Sequence, residues 1–266
     1  MILYPNAKIN IGLNIIAKLN TGYHEIESCF LPISLYDIIE INENERNKLS
    51  LSGIKIDCKI SENIILKTLN SFKSNKKFNV HLHKNIPIGA GLGGGSSDAA
   101  FTLKYLNKIL KKFDNDQLLL EANKIGSDCP FFILNKSKYV TNTGDKFENI
   151  NLDLSKKRII IVNPNKSINT SKAFKNISPS KAKYNLKEVL ENENIENWNN
   201  YVKNDFEKYV FSKIKTLNKI KSHLIDLGAK FVSLSGSGSC IYGIFDKNNL
   251  PDKELQFDYH YVKILN

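Results

Sequence analysis

The sequence is poor in the residues that mark several common protein classes. It has four cysteines, one methionine and one tryptophan in 266 residues. Cys29, Cys58, Cys129 and Cys240 lie far apart and make no C-x-x-C pair, so neither a zinc site nor a disulfide framework is supported. They read as free, buried or half-buried thiols. Among the histidines only His81 and His83 are closely spaced. On a strand they would share a face, but further ligands are lacking, and no residue is assigned to a metal. No apolar run reaches the about 18 residues of a membrane span. The opening MILYPNAKINIGLNII has no basic region and its apolar residues alternate, so a signal peptide is not expected there. A cytoplasmic protein without a membrane partner is expected.

Acidic residues are outnumbered, 27 against 38 lysines and arginines, for a net charge of +11. The basic residues are dispersed, often beside asparagine and isoleucine, and the runs at Lys136–Lys138, Lys156–Arg158 and Lys172–Lys183 are mixed with polar residues. Such dispersion reads as solvated surface and not as a nucleic-acid stripe, although it also suits a multiply charged anionic substrate. Hydrophobic residues make up 41% of the chain, enough for one large core or two ordinary ones.

Periodicity outlines the organisation. Ala7, Ile9, Ile11, Leu13 and Ile15 alternate with Lys8, Asn10 and Asn14, which predicts a strand with one buried and one polar face. Further strands are expected over 36–41, 48–57, 78–83, 159–162, 230–234, 240–245 and 259–265. Helices are expected over 63–72, 96–111, 117–124, 129–134, 186–191, 198–210 and 214–227, and 172–184 reads as a short helix or loop. A polar stretch near 144–157 suggests a domain boundary. Strands and helices fall in sets and not in strict alternation, which favours an α+β fold.

What the chain does have is a glycine-rich loop. Residues 86–100 read IPIGAGLGGGSSDAA, with Gly89, Gly91, Gly93, Gly94 and Gly95 ahead of Ser96 and Ser97. Backbone amides in such a loop approach a ligand closely, and the helix that follows directs its positive end at the same place. This is a phosphate site. Gly89-x-Gly91-x-x-Gly94 also fits a dinucleotide fingerprint with Asp114 as the acid. Asp114, however, lies between two expected helices, and the loop follows some 85 residues of other structure, so the context fails. A P-loop fails as well, because no lysine follows the glycines.

The segment Pro87-Ile88-Gly89-Ala90-Gly91-Leu92-Gly93-Gly94-Gly95-Ser96-Ser97, with Asp98-Ala99-Ala100 after it, resembles the second motif of the GHMP kinases. Pro5-Asn6-Ala7-Lys8-Ile9-Asn10-Ile11-Gly12-Leu13 is similar to their first motif, and residues 234–240, LSGSGSC, to their third. Gly22-Tyr23-His24-Glu25 and residues 125–132, IGSDCPFF, resemble segments of members whose acceptor carries a cytidine diphosphate. The resemblance implies a two-domain α+β fold. A ribosomal-S5-like, ATP-binding domain would cover 1–148, and a ferredoxin-like, substrate-side domain 149–266. It implies ATP and Mg²⁺ as cofactors and phosphorylation of the 2-hydroxyl of a cytidine-diphosphate-linked methylerythritol, a step toward isoprenoids. A monomer or weak homodimer with no nucleic-acid partner is expected. The link 17–21 is short and the segment 42–52 looks trimmed, which touches only peripheral contacts.

The same resemblance implies the roles. Asp128 would be the general base, although its place before Cys129-Pro130 also suits a helix cap. Lys8 would pair with it. Pro87 to Ser97 would hold the ATP phosphates and Asn63 the adenine, with a helix cap as the alternative use of Asn63. Asn10 would face the substrate hydroxyls, Tyr23 and His24 would hold the cytosine, and Phe174 would close its other face. Thr170 would contact a substrate hydroxyl, and Gly236 and Ser237 the diphosphate. Two alternatives stand beside this reading. One is another GHMP kinase of the homoserine or mevalonate type, which would not need Tyr23, His24 and Phe174. The other is a basic RNA-binding protein of S5-like fold, which leaves Lys8, the loop and Asp128 unexplained.

Overall fold

A computed structural model describes residues 1–72 and 74–248, together with the backbone of 261–265. Strand β1 (Ile2–Leu3) leads into two long strands, β2 (Asn6–Lys18) and β3 (His24–Tyr36). Then come β4 (Ile38–Asn44), β5 (Lys48–Gly53), helix α1 (Ile64–Ser71) and β6 (Lys77–Lys84). Helices α2 (Gly94–Leu110), α3 (Asn115–Ile125) and α4 (Cys129–Leu134) precede the short strands β7 (Lys138–Thr141) and β8 (Lys146–Asn149). The remainder holds β9 (Lys157–Asn163), α5 (Thr170–Lys175), α6 (Leu186–Asn192), α7 (Trp198–Tyr201), α8 (Glu207–Lys213), α9 (Thr216–Asp226), β10 (Phe231–Leu234), β11 (Ile241–Asp246) and β12 (Tyr261–Leu265). No helix among the described residues is long and apolar enough to cross a membrane.

The chain forms two compact units that interleave in sequence. The first takes Met1–Lys8, Ser34–Ile88 and Gly93–Lys136; the second takes Ile9–Ile33, Gly89–Leu92 and the chain from Ser137 on. In the first, the sheet runs β1-β4-β6-β5, with β5 parallel to β6 and the other pairs antiparallel. Phe78, Val80 and Leu82 of β6 are buried while Asn79 and His83 point outward, the period-two pattern of a half-buried strand. Helix α2 buries Ala99, Ala100, Leu103 and Leu106, spaced as one helical face. Asp114 caps α3, its side chain accepting from Gln117 N in a reciprocal capping box. That employment explains the acid without a ribose.

The second unit contains the antiparallel sheet β10-β11-β9-β12 and the sheet β2-β3-β7-β8. Ile160, Val162, Ile241 and Phe245 pack with Val210, Ile214, Leu217, Ile220 and Leu224 of α8, α9 and their junction. Each such side chain contributes on the order of 2 kcal/mol by leaving water.

Several expectations need correction. Strand β2 is buried on both faces: Lys8 is 4% exposed, Asn10 1% and Asn14 7%. Its polar side chains find partners inside the fold, as where Asn14 Nδ2 donates to Glu27 Oε2 at 2.9 Å. The helix expected over 198–210 is broken into α7 and α8. Between them Leu13 N donates to Lys203 O and Asp205 N to Leu13 O, each at 2.9 Å, so residues 203–205 lie alongside β2. Backbone pairing to a distant strand outweighs local helical spacing there. Most of β3 was not expected, because Pro32 and charged residues disturb its alternation, and β7 and β8 fall in the polar stretch read as a boundary. The strand expected to 57 ends at Gly53. Residues 259 and 260 of the last expected strand lie outside the described residues.

Candidate active site

In the first unit the site begins with the start of α2. Gly93 occupies its N-cap at φ +69°, and no side chain caps the helix. The first amides of a helix have no intrahelical acceptors, so here they are available to a ligand. A Cβ at Gly93 would meet the Phe132 ring at 2.9 Å and Lys8 Cε at 3.2 Å. Gly95 is exposed, and a Cβ there would meet nothing within 4 Å. Packing therefore does not explain that glycine. Ser97 is fully buried, and its Oγ has no hydrogen-bond partner among the described residues.

Asp128 stands at the N-cap of α4, yet its side chain makes no cap hydrogen bond. It faces Lys8 instead, Oδ2 lying 3.4 Å from Nζ, with the Asp128 side chain 29% exposed and that of Lys8 5%. A half-exposed carboxylate beside a buried ammonium is a suitable proton acceptor. Asn63 is the N-cap of α1: its Oδ1 accepts from Ile65 N at 2.9 Å. The capping use anticipated for it is thus realised.

Under the loop sits a group the sequence did not announce. Lys84 Nζ donates to Asp37 Oδ2 and, at 2.8 Å, to Asp98 Oδ2. Asp37 is fully buried, Asp98 2% exposed and Lys84 3%. Asp37 Oδ1 also accepts from Asn85 N at 2.6 Å and Ile86 N at 2.8 Å. A Cβ on Gly94 would lie 2.8 Å from Lys84 Nζ. The cluster therefore ties β6, the entry to the loop and α2 together. Burial pushes the Asp98 carboxyl up to about 8, against the attraction of Lys84. The signal for it in sequence was slight: a lysine at a buried position of an alternating strand.

In the second unit the loop residues Gly89–Leu92 rest on the third motif. Gly91 has φ +78°, and a Cβ there would stand 1.9 Å from Ser235 O. Ser235 Oγ donates to Gly91 O at 2.9 Å, and Cys240 N donates to Ala90 O at 3.1 Å. Ala90, Leu92 and Pro87 are buried, while Ile88 is exposed. Asn10 Nδ2 donates to Ser28 Oγ at 3.0 Å, and a Cβ on Gly236 would lie 3.3 Å from Asn10 Oδ1. Thr170 Oγ1 and Ser237 Oγ are 2.9 Å apart, so α5 and the third motif are joined by hydroxyls.

The His24 ring stacks on Phe174, centroids 4.8 Å apart and planes 24° from parallel. Phe174 also pairs T-shaped with Phe206, centroids 4.9 Å apart. Tyr23 next to His24 is 67% exposed. Burial, then the nearby Lys18 charge, hold the His24 pKa below its ordinary 6.5, which keeps the ring neutral near pH 7, with one donor and one acceptor. In the sequence Asn204 and Phe206 carry no signal beyond the helix expected over 198–210.

The GHMP kinases N terminal domain model matches residues 62–136, and the GHMP kinases C terminal model matches 185–262. A 4-diphosphocytidyl-2-C-methyl-D-erythritol kinase from Azobacteroides pseudotrichonymphae genomovar. CFP2 is 42% identical over 265 residues, 98% of this chain and 99% of the relative. The enzyme of that name from Parabacteroides distasonis is 39% identical over 93% of this chain and 92% of its own. A crystal structure of 4-(cytidine 5'-diphospho)-2C-methyl-D-erythritol kinase superposes with a TM-score of 0.75 at 26% identity, covering 91% of this chain and 89% of that one. With both family models matched and full-length relatives at this identity, the chain belongs to the GHMP kinase family.

Proposed function

We propose that this chain is an ATP-dependent small-molecule kinase that phosphorylates the 2-hydroxyl of 4-diphosphocytidyl-2-C-methyl-D-erythritol. The chemistry rests on one observation above the others: Asp128, in a helix-capping position, leaves the cap unmade and turns to Lys8 at 3.4 Å. The acceptor is inferred from the full-length relatives that carry that name. Asp128 takes the proton of the attacking hydroxyl. Lys8 offsets the negative charge gathered around that carboxylate and the transferring group. Backbone amides of Gly89–Ser97 hold the ATP phosphates, with Pro87 and Ile88 at the loop's entry and Asn63 near the adenine. No covalent intermediate is required.

Tyr23, His24 and Phe174 hold the cytosine, His24 through its neutral ring edge. Gly236 and Ser237 face the diphosphate, and Asn10 and Thr170 face the acceptor's hydroxyls. Among the described residues no group of three or more His, Cys, Asp or Glu could hold a metal. The oxygen set at the start of α2, including the unpartnered Ser97 Oγ, fits a hard cation held chiefly through phosphates. Ser96 and Ser97 would hold Mg²⁺ there, and the ion would neutralise phosphoryl charge. We also propose a cytoplasmic monomer or weak homodimer, with family modules over 1–148 and 149–266, acting without nucleic acid or membrane.

The test is ATP consumption with a panel of acceptors: the cytidylyl-methylerythritol compound, mevalonate, homoserine and galactose. Turnover confined to the cytidylyl compound is the expected result. Turnover with another alcohol alone would keep the kinase chemistry and discard the cytosine pocket.

A further inference from the structure

Asn204, Asp205 and Phe206 lie between α7 and α8, Glu207 opens α8, and none of the four belongs to the three sequence motifs. Each of their side chains nonetheless has a defined task. Asn204 is 4% exposed, and its Nδ2 donates to Leu234 O and to Gly236 O, both at 2.9 Å. Its Oδ1 accepts from Phe206 N at 2.9 Å. Both donors and the acceptor of one buried amide are therefore used, which fixes its orientation. Asp205 Oδ2 accepts from Ile15 N at 2.8 Å. Glu207 Oε1 accepts from Leu234 N at 3.1 Å, and Glu207 Oε2 from Lys221 Nζ at 2.7 Å. The segment is thus anchored to β2 on one side and to β10 on the other.

Two substrate-facing parts of the second unit depend on these anchors. Gly236 is held by Asn204 from one direction; in the other, a Cβ on it would stand 3.3 Å from Gly91 Cα and Asn10 Oδ1. Phe206 is 1% exposed, and its ring pairs with Phe174 in the favoured T-shaped geometry, centroids 4.9 Å apart and planes at 87°. Phe174 also stacks with the His24 ring. We propose that Asn204 and Phe206 are positioning residues for the acceptor substrate. Asn204 sets the Gly236–Ser237 turn and, through the Phe206 N–H, the ring on which Phe174 rests. Neither residue touches substrate in this proposal; they act through Gly236 and Phe174. The inference rests on the reading of those two residues as contacts of a cytidine-diphosphate-linked acceptor.

Two full-length variants test it, each judged separately. Phe206→Leu keeps an apolar side chain and removes the aromatic ring of the pair. The KM for the cytidylyl acceptor should rise about three- to tenfold, the worth of one edge-to-face pair, while the KM for ATP stays within about twofold. Asn204→Asp keeps the acceptor for Phe206 N–H but loses both donors and sets a carboxylate against two carbonyls. It should lower kcat/KM for the acceptor at least about tenfold.

A spectroscopic readout separates this claim from the functional one. The His24 ring protons carry the ring-current shift of stacked Phe174, and His24→Gln identifies their resonances. Phe206→Leu should move them with no substrate present. An unmoved His24 resonance together with an unchanged acceptor KM would overturn the proposal. If wild-type protein phosphorylates only a different alcohol, the acceptor assignment falls, and the His24 resonance alone then decides whether Phe206 positions the wall.

Discussion

Asp128 and His24 owe their chemistry to what surrounds them. Asp128 does not cap α4 and is half exposed beside Lys8. Asp128→Asn should therefore leave the fold and nucleotide binding intact while turnover falls by at least about 10²-fold, the contribution of a positioned base. Nucleotide affinity by calorimetry, beside turnover, checks this; near-normal turnover would remove Asp128 from its role. His24 titrates below 6.5 because it is partly desolvated and lies near Lys18. A lowered pKa keeps the ring neutral until more acid is added. The acceptor KM should thus be flat from about pH 8 to 6.5 and rise only below that. A pH profile of KM in wild type and His24→Gln tests it; a step that survives in the variant belongs to another group.

At the scale of elements, the phosphate loop is held from two directions, each within its own unit. Gly91 lies so near Ser235 O that a Cβ would stand 1.9 Å away. Gly91→Ala should raise the KM for ATP at least about tenfold, since positive φ and the collision both oppose a side chain. Steady-state kinetics at varied ATP decides it, and an unchanged KM would show that the loop does not need this contact. Lys84 bridges Asp37 and Asp98 in the interior. Lys84→Met strands two buried carboxylates and should cost about 3–5 kcal/mol in urea unfolding. Adding Asp98→Asn should return part of that loss, because two buried carboxyls no longer crowd each other without a cation between them. A double variant worse than the single would mean that Asp98 serves α2 by some other interaction. These contacts were hard to read in sequence because the residues that meet are 14 to 144 positions apart.

For the whole molecule, the charge of +11 spread along the chain favours polyanions without specifying one. Any retention on RNA should collapse between about 50 and 200 mM salt; a complex that survives would revive the RNA-binding alternative. The sequence by itself determined the nucleotide chemistry. A loop of five glycines ahead of two serines, followed by a helical run, points to a phosphate-binding role through local backbone freedom and helix polarity alone. Local periodicity likewise predicted α1, α2, α3, α4, α9 and the buried strand β9. Only the tertiary structure decided that the polar face of β2 is interior and that residues 203–205 pair with β2 where a helix was expected. Periodicity records which face of an element is apolar, not which remote polar group will meet its other face. Buried amides and carboxylates must find partners wherever the chain brings them, and that pairing exists only once the distant segments are packed.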